Sequence, residues 1–157
     1  MPETYSIQTS VHISAPAKKV YELMLDLNRF DDWNPFRTFD ETVTSSVVQT
    51  KPGVGSIYNY QGKKVGKGRQ LVTAVEKPTL IASEMSFYKG DQVRDTALVE
   101  YRIVEDSAGT LVTWYMQGER GLMGKFMGRV IGFDRMMGKS FATGLEALKA
   151  LIESEVK

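Results

Sequence analysis

The order of apolar and polar positions divides the chain into a strand, short helices, a strand-rich stretch and a final helix. In residues 7–13 the odd positions are mainly apolar and the even positions are polar, a period of two that predicts a half-buried strand. Residues 14–17, Ser-Ala-Pro-Ala, offer a helix cap and an early proline. Apolar residues then recur at helical spacing from Val20 to Leu27, which predicts a short helix that ends before the Asp-Asp-Trp-Asn-Pro-Phe segment at 31–36.

Residues 39–118 are rich in Val, Thr, Tyr and Ile, a composition typical of strands. Turn-forming residues divide this stretch at positions 52–53, 62, 77–78, 90–91 and 106–109. The clearest antiparallel hairpins pair 66–76 with 79–87 and 96–105 with 110–118. The stretch therefore predicts an antiparallel sheet.

The residues from 121 to the end contain no strand pattern and no proline. A single apolar stripe continues at steps of three or four residues over about nine helical turns. Its members are Phe126, Val130, Phe133, Met137, Phe141, Leu145, Leu148 and Ile152. We predict one long helix, whose first half is weakened by the glycines from Gly121 to Gly138, because glycine costs up to ~1 kcal/mol relative to alanine.

A sheet with one apolar face must bury that face against another element, and the final helix is the only predicted element long enough. The pattern predicts an α+β fold in which a curved antiparallel sheet of about six or seven strands wraps around the long C-terminal helix. Two short helices are expected after the first strand. No repeat, low-complexity tract or linker divides the chain, so residues 1–157 are expected to form one domain.

Composition excludes several classes of chemistry. The 157 residues carry a formal charge of +1, so no global field attracts nucleic acid. The absence of cysteine excludes disulfides, thiolate catalysis and iron–sulfur clusters. His12 is the single histidine, which leaves little for metal binding or a catalytic triad. We expect no metal, no cofactor and no nucleic-acid partner.

The N-terminus lacks a basic segment followed by an apolar run, and no stretch approaches the ~20 apolar residues of a membrane span. We therefore expect a cytoplasmic protein without integral membrane insertion.

Six short motifs follow one another along nearly the whole chain. They are Ile-Ser-Ala-Pro-Ala at 13–17 with Val-Tyr at 20–21, Trp-Asn-Pro-Phe at 33–36, Gly-Val-Gly at 53–55, Val-Glu-Lys-Pro at 75–78, Gly-Thr-Leu-Val-Thr-Trp at 109–114 and Gly-Leu-Glu-Ala-Leu-Lys at 144–149. With these motifs the chain resembles the START-like, helix-grip (SRPBCC) superfamily, and within it the polyketide cyclase/dehydrase-like branch. The resemblance implies a cavity between sheet and helix. Members include hydrophobic-ligand carriers, polyketide cyclases and hormone receptors, so the fold does not by itself give the function.

Strand alternation and the final helix suggest which side chains line this cavity. Five of the eight methionines lie between Met116 and Met137, and Met-rich surfaces can re-pack around different ligands, although methionine also fills irregular cores. Three glycines four residues apart, Gly124, Gly128 and Gly132, would leave space beside them. The predicted ligand-binding residues are Tyr58, Tyr60, Met85, Phe87, Val99, Tyr101, Val112, Trp114, Met116, Met123, Phe126, Met127, Val130, Phe133 and Met137.

Candidates for acid–base catalysis are few. No opposite charge stands three or four residues from Asp134 on the helix, so at a cavity margin its carboxyl would have a raised pKa and serve as a general base. A solvated position is the alternative. Glu84 and Arg94 have less support, His12 is expected to face solvent, and the Asp-Asp pair at 31–32 is expected to make local turn hydrogen bonds.

Two groups of basic residues bear on the ligand's charge. One is the hairpin group Lys63, Lys64, Lys67 and Arg69, and the other consists of the helical pairs Lys125/Arg129 and Arg135/Lys139. If both groups rim the same opening, they would favour an anionic ligand or an anionic membrane surface. Either group could equally lie on a solvated face of the protein. Lysines in a hairpin also discourage edge-to-edge aggregation of sheets.

The sequence supports three hypotheses. The first is binding or transport of a small hydrophobic ligand, such as a lipid, polyketide or aromatic compound, in the internal cavity. The second is a polyketide cyclase- or dehydratase-like enzyme that uses Asp134. The third is a peripheral membrane or partner-docking module built on residues 121–139. A homodimer is compatible with each of them.

Overall fold

The computed structural model of the protein describes residues 4–119 and 133–156. The elements in chain order are β1 (Thr4–Ile13), α1 (Ala17–Leu25), a 3-10 helix (Leu27–Asp32), α2 (Phe36–Phe39), β2 (Thr44–Val48), β3 (Ile57–Gly62), β4 (Gly66–Glu76), β5 (Leu80–Lys89), β6 (Gln92–Asp106), β7 (Gly109–Glu119) and α3 (Phe133–Glu155).

The described strands form one seven-stranded antiparallel sheet in the order β1-β7-β6-β5-β4-β3-β2. Both predicted hairpins are present, as β4 with β5 and β6 with β7. The turn between β5 and β6 contains Gly90 at φ 65°, a left-handed conformation that glycine adopts without strain. The predicted α+β, helix-grip fold is confirmed.

Helix α3 packs along β1. The Thr9 hydroxyl donates a hydrogen bond to the Gly138 carbonyl oxygen at 3.2 Å, and the Lys149 ammonium donates to the His12 carbonyl oxygen at 2.7 Å. These two contacts fix both halves of the described helix against the first strand. The prediction that the helix begins near Gly121 falls on residues 120–132, which lie outside the described part of the chain.

The second half of the predicted apolar stripe forms the core beneath the sheet. Phe141, Leu145, Leu148 and Ile152 are each at most 2% exposed. Helix α1 covers the adjacent end of the sheet and contributes buried residues such as Val20. The stripe and the inner face of the sheet therefore enclose a common core.

An aromatic cluster joins the sheet to the helices at the centre of this core. The rings of Trp114 on β7 and Phe141 on α3 stack with centroids 4.2 Å apart and planes 4° apart. Trp33 and Tyr101 meet the Trp114 ring edge-on, each with centroids 5.6 Å away. Trp114 and Phe141 also line a cavity next to the core, whereas Tyr101 does not line it and is buried in the core.

Candidate functional site

A cavity of about 360 Å³ lies between the inner face of the sheet, the short helices and α3. This volume is in the range of small-molecule sites, ~300–1,000 Å³. The described residues that line it are Phe30, Asn34, Phe36, Phe39, Val43, Tyr58, Tyr60, Lys63, Lys64, Val65, Gly66, Lys67, Gln70, Met85, Phe87, Tyr88, Arg94, Val99, Trp114, Met116, Met137, Ser140 and Phe141. The wall is thus mainly aromatic and aliphatic, with a few polar groups.

Many of the residues predicted to bind the ligand come together in this wall. They are Tyr58, Tyr60, Met85, Phe87, Val99, Trp114, Met116 and Met137. Each strand residue among them lies on the face of the sheet that strand alternation predicted. Contact of these side chains with a ligand stays a prediction.

Tyr101 and Val112 do not line the cavity, although they share the inner face with residues that do. Both are at most 1% exposed, and the Tyr101 ring is covered by the edges of Trp33 and Trp114. Along β6, Tyr101 lies two residues beyond the lining residue Val99, and along β7, Val112 lies two residues before the lining residue Trp114. Both side chains therefore lie in the packed core beside the cavity, and their contact with a ligand stays a prediction.

The remaining predicted residues lie outside what the structure describes. Met123, Phe126, Met127 and Val130 fall in residues 120–132. Phe133 and Asp134 belong to α3, but their side chains are not among the described ones.

Part of the wall comes from the short helices, where the sequence pattern predicts no cavity residues. Phe30, Asn34, Phe36 and Phe39 all line the cavity from this side. The Trp-Asn-Pro-Phe motif at 33–36 was a signal for the family but not for a wall, because these short turns have no periodicity that shows which side faces inward.

A hydrogen-bonded group of side chains stands behind the tyrosine wall. The Tyr58 hydroxyl donates to a carboxylate oxygen of Asp31 at 2.5 Å and accepts from the Asn34 amide at 3.1 Å. The Asp31 carboxylate also accepts from the Ser45 hydroxyl at 2.6 Å and from the Arg37 guanidinium at 3.1 Å. The expectation of local turn hydrogen bonds is therefore wrong for Asp31, whose partners come from α2, β2 and β3. It holds for Asp32, which accepts from the Arg29 guanidinium at 2.9 Å.

Burial raises the pKa of the wall tyrosines Tyr58 and Tyr60 and of the core tyrosine Tyr101. Burial and the hydrogen bond to Asp31 raise the pKa of Tyr58 to about 12, and burial raises the pKa of Tyr60 and Tyr101 above the usual value. For Asp31, burial alone would raise the pKa, but hydrogen bonds from Ser45 and Tyr58 outweigh it and lower the pKa. The phenols are therefore protonated at neutral pH and act as hydrogen-bond donors, not as bases.

Two neutral polar groups face the cavity from the sheet. The Gln70 amide, 4% exposed, donates to the Tyr101 hydroxyl at 3.4 Å. The Tyr60 hydroxyl has no hydrogen-bond partner within the described ranges. Both groups can orient a ligand oxygen without introducing charge.

Charged residues divide between the cavity and the outer surface. Lys63, Lys64, Lys67 and Arg94 line the cavity. Arg69 is not among the lining residues, so the predicted hairpin cluster reaches the cavity only in part. Arg135 and Lys139 are exposed, also outside the wall, and Lys125 and Arg129 fall in residues 120–132.

Of the two minor candidates for catalysis, Arg94 lines the cavity and Glu84 does not. Glu84 is exposed on β5, on the face opposite its neighbour Met85. His12 is half-exposed and bonds to the Asp106 carboxylate at 3.0 Å. Neither Glu84 nor His12 lines the cavity, and His12 lies at the surface as expected.

A buried carboxylate holds the turn that carries two of the lysines. Asp40, 1% exposed, accepts hydrogen bonds from the backbone N–H groups of Lys64 at 2.7 Å and Val65 at 3.0 Å. It also accepts from the backbone N–H and the hydroxyl of Thr42. The hydrogen bond from Thr42 and those from the β3–β4 turn outweigh burial and hold the pKa of Asp40 well below its usual range.

Tyr60 rests on Gly68, its cross-strand partner on β4. A Cβ at Gly68 would overlap the hydroxyl end of the Tyr60 ring. We expect Gly68→Ala to lower the free energy of unfolding by about 1 kcal/mol, because the ring must swing into the cavity space. In a Tyr60→Ala background the same substitution should cost much less, and urea unfolding of the four proteins measures this coupling. An equal cost in both backgrounds would contradict the contact.

Comparison with known proteins identifies the family. Residues 4–153 match the family model described as polyketide cyclase / dehydrase and lipid transport. No match is found among curated proteins.

Solved structures share the fold at low identity. Norcoclaurine synthase from Thalictrum flavum, in complex with dopamine and hydroxybenzaldehyde, aligns at TM-score 0.67 and 11% identity over 96% of this chain and 87% of that chain. An uncharacterised protein from Rhizobium leguminosarum aligns at TM-score 0.69 and 12% identity over 98% and 97%. The Aha1 dimer from Colwellia psychrerythraea aligns at 0.63 and 15% over 95% and 96%.

None of the helices in the described ranges combines the length and the apolar character that a membrane crossing requires. At such low identities the structural likeness shows the fold alone. The family model, in contrast, spans nearly the whole chain. The protein therefore belongs to the polyketide cyclase/dehydrase and lipid transport family of the helix-grip superfamily.

Proposed function

We propose that the protein binds a small hydrophobic molecule in the cavity between the sheet and α3, as a carrier or receptor of that molecule. The observation that carries the proposal is the cavity of about 360 Å³, which remains open beside a core whose large side chains are almost fully buried. Protein interiors otherwise leave few voids larger than a water molecule. An apolar space of this size loses packing contacts, and a ligand that filled it would restore them.

The family and a structural relative support this proposal. The family description includes lipid transport. Norcoclaurine synthase holds dopamine and hydroxybenzaldehyde on the same fold, so this architecture accommodates aromatic molecules. A lipid, a polyketide or an aromatic compound would each suit a wall that is mainly aromatic and aliphatic.

The two alternatives have less support from the described residues. Proton abstraction needs a base in the wall, whereas the tyrosines there are held protonated and the side chain of Asp134 is not described. The membrane-docking segment at 121–139 falls mostly on residues 120–132. A cyclase-like activity, a docking role, a homodimer and a cytoplasmic location all stay predictions.

A cavity-blocking variant tests the proposal. The probe is N-phenyl-1-naphthylamine, a neutral dye whose fluorescence rises in apolar surroundings. We expect it to bind the wild-type protein, and Val99→Phe to weaken binding about tenfold or more, because a wall residue that is 4% exposed would then occupy the cavity. Fluorescence titration gives the Kd.

The matched control is Val104→Phe, the same change at a position of β6 that is 60% exposed. It should leave dye affinity unchanged. If Val99→Phe does not fold, Met85→Trp blocks the same cavity from β5. Equal dye affinity in wild type, blocking variant and control, or no dye binding by the folded wild type, would overturn the proposal.

A further inference from the structure

The cavity has cations on its wall but no acidic side chain among the residues that the structure describes. Lys63, Lys64, Lys67 and Arg94 line it. Within the described ranges, Lys63 and Lys64 form no ion pair. Lys67 pairs with Asp91 at 3.3 Å, but Asp91 is fully exposed, so this pair lies in water and contributes little. Arg94 pairs with Asp95 at 3.8 Å, and both side chains are largely buried, so the charge of Arg94 is compensated within the fold. The positive charge of the described wall therefore comes from the three lysines.

The backbone places these residues at one end of the sheet. Lys63 and Lys64 belong to the β3–β4 turn, where Asp40 accepts the backbone N–H of Lys64. Lys67 follows on β4, with its ammonium 5.3 Å from the centre of the Tyr88 ring. Arg94 stands where the register between β5 and β6 shifts. The three lysines thus come from the β3–β4 hairpin, at the end of the sheet where the β5–β6 turn also lies.

The opposite end of the cavity is apolar. There the stacked rings of Trp114 and Phe141 form the wall, next to Met116. Between the two ends, Gln70 and Tyr60 supply neutral hydrogen-bonding groups. The cavity is therefore polarised along its length, with a basic rim, a few neutral polar groups and an aromatic end.

We infer that the ligand is an amphipathic anion, with its apolar body against Trp114 and Phe141 and its acid group among Lys63, Lys64 and Lys67, the basic rim. This inference rests on the proposed function and narrows its ligand class. A carboxylate and a phosphate ester share the required chemistry. Several cations around one anion, at the edge of an apolar cavity, favour binding more than a single exposed ion pair does.

Three ligands with the same ten-carbon chain and different head groups distinguish the contribution of the acid group to affinity from that of the chain. Decanoate, decyl phosphate and 1-decanol compete with N-phenyl-1-naphthylamine for the wild-type protein at pH 8 and low salt. We expect at least one of the two anions to bind about tenfold more tightly than decanol. In 0.5 M NaCl this preference should shrink, since salt screens the basic rim. Inorganic phosphate alone should not displace the dye.

Removal of the cations tests the assignment of the rim. Lys63→Gln/Lys64→Gln should weaken binding of the preferred anion about tenfold and leave decanol unchanged. Both substitutions keep the backbone N–H that Asp40 accepts. The matched control, Lys18→Gln/Lys19→Gln, removes the same charge from exposed positions of α1 and should change neither affinity. Lys67→Gln is a further variant with the same expected direction.

The outcomes separate this inference from the proposed function. Failure of the dye to bind, or of blocking variants to weaken it, overturns the proposed function and this inference with it. Equal affinity for decanol and both anions overturns the inference alone, as does a loss that is the same in the rim and control variants. Displacement of the dye by inorganic phosphate also overturns it, because the apolar body would then contribute nothing.

Discussion

Trp114→Ala is expected to lower the free energy of unfolding by about 3–5 kcal/mol, the range for removing a large buried aromatic side chain. Trp114 is 3% exposed and joins three parts of the fold. It stacks on Phe141 of α3, and it meets Trp33 and Tyr101 edge-on. Its loss would merge new empty volume with the cavity, so the surrounding structure would collapse only partly and the cost should be near the upper end.

Urea unfolding followed by circular dichroism measures this loss. The matched control is Tyr115→Ala on the same strand but on its outer face, where the ring lies 4.1 Å from the Arg102 guanidinium. That change should cost about 1 kcal/mol, because the side chain is only half-buried and a cation–π contact at such a site is weak. Equal costs for the two variants would show that the aromatic cluster does not join the helix to the sheet.

The architecture was predictable because two periods are clear in the chain. Alternation predicted the hairpins of β4 with β5 and of β6 with β7, and the apolar stripe from Phe141 to Ile152 predicted the helix that they enclose. Because both apolar faces must be buried, these two patterns predict that the sheet packs against the helix.

Strand alternation predicted which face of the sheet lines the cavity, but not how far along each strand the lining extends. Alternation gives the side of the sheet on which Val99 and Tyr101 lie, and both are on the inner face. It does not say how far along the strand the packed core ends and the open space begins. That limit depends on where Trp33 and Phe141 meet Trp114, a contact among three distant parts of the chain.

The part of the site that the short helices contribute could not be predicted from the sequence, for a different reason. Asp31 and Asn34 occupy a 3-10 turn and the segment after it, where no repeat relates position to direction. Their partner, the Tyr58 hydroxyl, is more than twenty residues away along the chain. A side-chain network between distant segments has no local signature, and neither does the Asp40 contact with the β3–β4 turn.

Asp40 joins the stability of the fold to the geometry of the basic rim. Its carboxylate accepts from Thr42 and from the backbone of Lys64 and Val65, so the turn that carries Lys63 and Lys64 is held by a single ionised group. A Cβ at Gly62 would lie 2.5 Å from a carboxylate oxygen, which shows how closely the strand end approaches it. Loss of this charge should therefore loosen the turn.

Asp40→Asn is expected to lower the Tm by roughly 5 °C at pH 7, because the amide replaces one acceptor oxygen by a donor that faces backbone N–H groups. The folded-state pKa of Asp40 is held below that of the unfolded chain, ~3.9. Its stabilising contribution is then complete above about pH 5 and is lost as the pH falls through 4 toward the folded-state pKa. The asparagine variant has no such contribution, so its Tm should approach that of the wild type as the pH falls.

Calorimetry of both proteins between pH 7 and pH 2 measures this convergence. Asp91→Asn is the matched control, because Asp91 is fully exposed and its pairing with Lys67 is solvated, so its Tm should follow that of the wild type at every pH. Asp106, whose pKa is also lowered, is present in all three proteins and its effect cancels in the comparison. A Tm difference between Asp40→Asn and the wild type that stays constant down to pH 2 would mean that the Asp40 charge does not hold the turn.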